Sequence, residues 1–188
     1  MYFNNKPKKM ENNHIEKTDV KRAVCDEVLI AIRRIIQAID LHSRYLVRQF
    51  GLTGPQLIVL QEISRCGEVS AGEIAKAISL GQATVTGVLE RLENRGLIVR
   101  QRSNSDKRRV LVQPTSASKQ LLEKAPPPMQ EHFIQKLTNL QDWEQGMILS
   151  SLQRIVAMMD ANNIEAAPIL TAGPIDEVKE NLNLEKET

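Results

Sequence analysis

Between Arg95 and Arg109 the chain carries six basic residues (Arg95, Arg100, Arg102, Lys107, Arg108 and Arg109) against one acid, Asp106. Five net positive charges in fifteen residues form the electrostatic footprint of a surface that meets a polyanion. Just upstream stands a second set, Gln82, Ala83, Thr84, Thr86 and Arg91, dominated by short polar groups. A glutamine amide can pair with adenine, and threonine hydroxyls reach bases or phosphates. Covalent chemistry has far less to work with. Three histidines, no glycine-rich phosphate loop, no nucleophile motif and two cysteines (Cys25 and Cys66) without metal-ligand spacing argue against an enzyme, and neither cofactor nor metal is expected.

Both sets need rigid elements to present them. Ser70 followed by Glu73 is a capping box, so a helix starts there, and Ile74, Ala75 and Ile78 give it an apolar stripe. Ser79, Leu80 and Gly81 leave room only for a tight turn. From Gln82 to Arg95, Val85, Val88, Leu89 and Leu92 share one face, which turns Gln82, Thr84, Thr86, Gly87, Glu90 and Arg91 outward. Gly96 is placed to end that helix in the left-handed region. The period then changes from 3.6 to 2. Leu97, Val99 and Gln101 alternate with Ile98, Arg100 and Arg102, residues 103 to 109 read as a polar turn, and Val110 to Val112 return. The expectation is a helix-turn-helix followed by a two-stranded basic wing.

Around this unit the chain reads as mainly helical. Residues 1 to 20 are polar and aperiodic, a mobile tail by composition. Residues 21 to 50 form a long helix with Val24, Val28, Ile32, Ile35, Ile39 and Leu46 on one stripe and His42 in its gap. Residues 51 to 115 are the winged unit. Its first helix is capped by Thr53 and Gln56 with Pro55 in the first turn, buries Leu57, Leu60 and Ile63, and ends at Gly67, beyond which Glu68 and Val69 can make a third strand. Residues 116 to 160 are helical, interrupted by Pro126, Pro127 and Pro128 and restarted where Asp142 with Gln145 signals another helix start. In the last helix Met147, Ile148, Leu152, Ile155, Val156 and Met159 make a strongly apolar face that needs a cover. Residues 161 to 188 are an acidic extension in which Ile164, Ile169 and Leu170 could dock on the body.

Net charge is only +2 and unevenly spread: residues 21 to 115 hold fifteen Lys or Arg against nine Asp or Glu, residues 161 to 188 two against six. No apolar run approaches the roughly 20 residues of a bilayer span, and the N-terminal segment lacks the apolar core of a signal peptide. A cytoplasmic protein without membrane partners is expected, and its cysteines should be reduced, with Cys25 a buried bystander and Cys66 structural.

The order helix, Gly stop, strand, turn and strand, with the segments 92-LENRGLI-98 and 106-DKRRVLV-112, resembles the MarR-type winged-helix regulators over about residues 21 to 160. The Asp-x-Arg element of the wing is its specific part. Two departures stand out: Ser118 replaces the usual Gly after the wing, and the three prolines break a helix that is normally continuous. The resemblance implies a homodimer on double-stranded DNA, with Val28, Ile32, Ile148, Leu152, Ile155 and Met159 in the two-fold interface. It implies that Arg108 enters a minor groove, oriented by Asp106. It also implies a small anionic or phenolic effector between the lobes, for which His42, Tyr45, Gln56 and Phe133 are candidates, although a histidine on an apolar face more often has a core or interface role. Cys25 lies one turn too early for the oxidant-sensing pattern of some members. Ile39 to Ser43, Gly54 to Leu57 and Ala166 to Leu170 are similar to the subgroup associated with ectoine and other compatible-solute genes. A protein-interaction winged helix remains the reading from another class, and repression is favoured over activation without being fixed.

Overall fold

The computed structural model describes the backbone of residues 9 to 102 and 109 to 172, with side chains from residue 21 onward. Helix α1 (Lys9–Phe50) leads into α2 (Gly54–Cys66), β1 (Val69–Ser70), α3 (Ala71–Ala77) and α4 (Gln82–Asn94). Strands β2 (Ile98–Arg102) and β3 (Val110–Pro114) follow, then α5 (Ser116–Lys124), α6 (Met129–Thr138) and α7 (Asp142–Met158). The chain is mainly helical with one small antiparallel sheet, as the sequence pattern leads one to expect.

Local chemistry sets most boundaries. Thr53 and Gln56 cap α2 reciprocally, the Thr53 N–H donating to Gln56 Oε1 at 3.1 Å. Ser70 and Glu73 do the same for α3, with the Ser70 N–H 2.9 Å from Glu73 Oε2. At the end of α4, Gly96 sits at φ 67, and the N–H groups of Gly96 and Leu97 bond to Glu93 O and Leu92 O. This pair of bonds closes the helix and brings Leu97 onto Leu92, both of them buried. The turn between α3 and α4 has the same form, but Ser79 takes the left-handed position at φ 54 and the Leu80 N–H reaches Ala75 O. Gly81 instead precedes α4 at φ −61.

Three expectations are corrected. α1 starts at Lys9 rather than near Lys21, because lengthening an existing helix costs far less than nucleating one and polar residues suffice for it. The third strand is Val69–Ser70, one residue beyond the expected pair, because Val69 and Ser70 pair with Val112 and Leu111 of β3. α7 is capped from Gln141, whose N–H donates to Glu144 Oε2 at 2.9 Å, and not by Asp142 with Gln145. The three prolines do break the C-terminal helices: α5 stops at Lys124 and α6 begins after Pro128.

The sheet has the order β1-β3-β2, with Ile98 opposite Pro114, Arg100 opposite Val112 and Arg102 opposite Val110. Its inner face joins Leu57, Leu60 and Ile63 of α2, Ile74 of α3 and Val85, Val88, Leu89 and Leu92 of α4 in one core. Each such side chain contributes roughly 1.5–3 kcal/mol of burial. Thr115 ties α5 to this unit, its hydroxyl donating to Gly96 O at 2.9 Å and accepting the Ser118 N–H at 3.3 Å. Ser118 is completely buried and donates to Thr115 O at 2.8 Å, so serine in place of glycine here is absorbed as part of the cap. After α7 the chain returns to the lobe: Ala167 and Ile169 pack on the core, and the Ala172 N–H bonds to Ser43 Oγ of α1 at 3.1 Å. Ile164 stays outside this contact, 70% exposed. No described helix is long and apolar enough to cross a membrane.

Candidate nucleic-acid interface

Because Val85, Val88, Leu89 and Leu92 are buried, the opposite face of α4 cannot turn inward. Gln82, Ala83 and Thr86 are exposed there and Thr84 is half-buried. Gly81, the N-cap, offers no side-chain acceptor, so the first N–H groups of α4 remain available to a phosphate at the positive end of the helix dipole. Thr86 donates its hydroxyl proton to Gln82 O at 2.9 Å, which leaves its oxygen lone pairs facing outward as acceptors.

The basic residues divide by partner. Arg102, at the outer end of β2, is exposed. Arg109, just ahead of β3 at the same end of the hairpin, places Nη2 3.0 Å from Glu73 Oε1, so the carboxylate that caps α3 also holds the wing. Hydrogen bonding from Ser70, with Arg109 adding its charge, holds the Glu73 carboxyl below the usual range. Arg100 does not take the DNA-facing role expected of it, because it shares the face of β2 that carries buried Ile98. It is half-buried against α4, 3.0 Å from Glu93 Oε2, and its Nη2 is buried without a hydrogen-bond partner among the described residues. This ion pair braces β2 on α4. Asp106, Lys107 and Arg108 lie outside the described residues.

Arg91 also turns away from the Gln82 face. It borders a cleft of about 330 Å³ with Val47, Gly51, Thr53, Gln56, Asn94 and Arg95, where α1, α2 and α4 meet. Arg95, read from the sequence only as one more positive charge, donates its two terminal nitrogens to Phe50 O and Gly51 O at the end of α1. No local period could reveal this contact, because it joins residues 44 and 45 positions apart.

The effector candidates lie on three helices, α1, α2 and α6. His42 is half-buried with Nε2 unpartnered among the described residues, and burial lowers its pKa. Tyr45 is 47% exposed, its ring edge-on to Phe50 at 6.0 Å. Gln56 is buried and its amide oxygen is engaged by Thr53, while Phe133 is exposed on α6. Of the four, Gln56 alone borders the described cleft. Along the candidate interface Val28, Ile148, Leu152 and Met159 are exposed, and Ile32 and Ile155 half-buried. Cys25 is exposed in the single chain, contrary to its expected burial, because it lies on this uncovered helix. Cys66 is exposed too; its thiol donates to Glu62 Oε1 at 3.5 Å, and desolvation pushes its pKa up.

Comparisons with known proteins converge on this geometry. A model of the MarR family matches residues 52–110, which is the capped α2 through the start of β3. The HTH-type transcriptional repressor NicR of Pseudomonas putida is 30% identical over 107 residues, covering 54% of this chain and 68% of NicR. An uncharacterized HTH-type transcriptional regulator of Bacillus subtilis, YcgE, is 28% identical over 98 residues; the match spans 52% of this chain and 64% of YcgE. Among solved structures, MepR of S. aureus in complex with DNA superposes with a TM-score of 0.50 at 22% identity, over 69% of this chain and 96% of MepR; this likeness shows the fold. Taken with the capped helices, the antiparallel wing strands and the outward polar face of α4, these matches establish that the chain belongs to the MarR family of winged-helix, DNA-binding transcriptional regulators.

Proposed function

We propose that the protein is a homodimeric repressor that binds a pseudo-palindromic operator. Two copies of α4 enter successive major grooves through Gln82, Ala83, Thr84 and Thr86, while the wings, with Arg102, Lys107 and Arg108, reach the flanking minor grooves. The observation that carries this reading is the division of α4, one face locked into the core by four buried residues and the other short, polar and exposed. A guanidinium suits the narrow, electronegative minor groove of A·T-rich DNA. The apolar faces of α1 and α7, exposed in the single chain, supply the two-fold contact, and repression follows the description of NicR.

The finer reading is that the regulated genes serve compatible-solute metabolism, supported by the segments Ile39 to Ser43, Gly54 to Leu57 and Ala166 to Leu170, and that a small-molecule effector binds between the lobes. Mapping genomic fragments bound by the protein tests the regulon; fragments without osmolyte genes reject it. Retention on nonspecific duplex should fall steeply with salt, and Arg108→Ala should weaken binding to recovered fragments by roughly 1–3 kcal/mol with the fold intact. Salt-insensitive, weak retention would point instead to a protein partner for the basic wing.

A further inference from the structure

α1 ends at Phe50, and Gly51 closes it at φ 62 with its N–H on Val47 O at 2.9 Å. The last carbonyls of a helix lack partners within it and form the negative end of its dipole. Here Phe50 O and Gly51 O both accept from the guanidinium of Arg95, the C-cap residue of α4. The cation meets both needs at once. Position 51 favours glycine because the backbone is left-handed, and a Cβ there would lie 2.8 Å from Arg95 Nη2, so any other residue would displace the guanidinium. At the other end, the N–H bonds of Gly96 and Leu97 to Glu93 O and Leu92 O fix the backbone that carries Arg95. The guanidinium therefore moves with α4 and is held by α1.

We propose that Arg95 is a positioning residue for DNA recognition: by bridging Phe50 O and Gly51 O it sets the angle between α1 and α4, and through it the separation at which paired α4 helices meet DNA. The second half of this statement rests on the two-fold reading above; the first half stands on one chain. Lysine would keep a positive charge at the end of α1, but a point charge cannot hold two carbonyls in a fixed fork. The position thus selects for arginine on geometry as well as charge.

Two measurements on the full chain separate the halves. Nitroxides at Arg48→Cys of α1 and Glu90→Cys of α4, both exposed positions, are placed in a Cys25→Ser, Cys66→Ser background. The labelled protein is diluted into excess unlabelled protein, so that distances within one chain dominate. A narrow distribution with Arg95, broadened in both Arg95→Gln and Arg95→Lys, is expected; unchanged widths overturn the clasp. If Arg95→Gln fails to fold, Arg95→Lys decides.

For the DNA half, duplexes that the wild type recovers from a random-sequence pool are resynthesised with one base pair added or removed between half-sites. Wild type should lose about tenfold in affinity, whereas Arg95→Gln should lose less than about threefold and bind a single half-site as wild type does. Equal losses on every spacing and on the half-site, together with a lower Tm, would assign Arg95 to stability alone and overturn the positioning role. Recovery of no paired half-sites would reject the two-fold reading, and the label distances would then decide the clasp.

Discussion

The lobe from α2 to α5 and the helices α1, α6 and α7 carry similar apolar side chains and treat them in opposite ways. In the lobe, Leu57, Leu60, Ile63, Ile74, Val85, Leu92 and Ile98 are essentially inaccessible to water. Along α7, by contrast, no residue is buried, and Trp143, Met147, Leu149, Leu152, Met158 and Met159 each leave 45% or more of their surface exposed. α1 repeats this with Val24, Leu29, Ile35 and Ile36, and only toward its end do Leu46 and Phe50 join the core. The element pairs that pack most extensively all fall within the lobe. Apolar periodicity thus says that a face wants cover without saying whether the cover comes from the same chain. Exposed apolar surface on this scale is uncommon on monomers and is what the proposed two-fold contact would cover.

The contrast can be broken most forcefully at Ile155. Ile155→Asp would place an unpaired charge in the proposed two-fold interface, at a cost on the order of 3–5 kcal/mol. Association and tight DNA binding should be lost together, which gel filtration and a binding titration would register. A variant that still binds operator as tightly as wild type would give α7 some other purpose. At Ile63, completely buried in the lobe, the opposite outcome is expected. Ile63→Ala should lower unfolding free energy by about 2–5 kcal/mol while the folded fraction keeps its oligomeric state. Denaturant titration at two protein concentrations checks this, and a change of association state without loss of stability would contradict it.

The smallest effect is expected where the two regions meet, at His42. Its folded pKa is lowered by burial, so the unfolded chain binds the proton more readily. The stability associated with neutral His42 is complete above the unfolded value of about 6.5 and declines as pH falls below it toward the depressed folded value. His42→Gln should flatten that part of the stability profile. An unchanged slope below pH 6.5 would show that His42 is not its source.

How legible each region was in the sequence follows the same division. Caps were legible, because Thr53 with Gln56 and Ser70 with Glu73 act over three residues and Gly96 announces its own backbone conformation. The face of α4 was legible because four apolar residues at helical spacing leave one solution. What escaped was non-local or conformationally disguised. Ser79 adopts a left-handed turn position that glycine ordinarily fills, and so carries no compositional mark. Arg100 turns inward to Glu93, Arg95 reaches across 44 residues to α1, and Ala172 returns to Ser43. The contacts of Arg95 and Ala172 leave no periodic trace, since each joins elements that only the tertiary fold makes neighbours, whereas the inward turn of Arg100 follows the alternation that buries Ile98.

Sedimentation of the intact chain, alone and with a duplex recovered by the protein itself, tests the central claim that the uncovered faces of α1 and α7 join two recognition helices. The account predicts a dimer at micromolar concentration, with two chains on each bound duplex. A folded monomer that binds the same duplex as one chain with full affinity would contradict it.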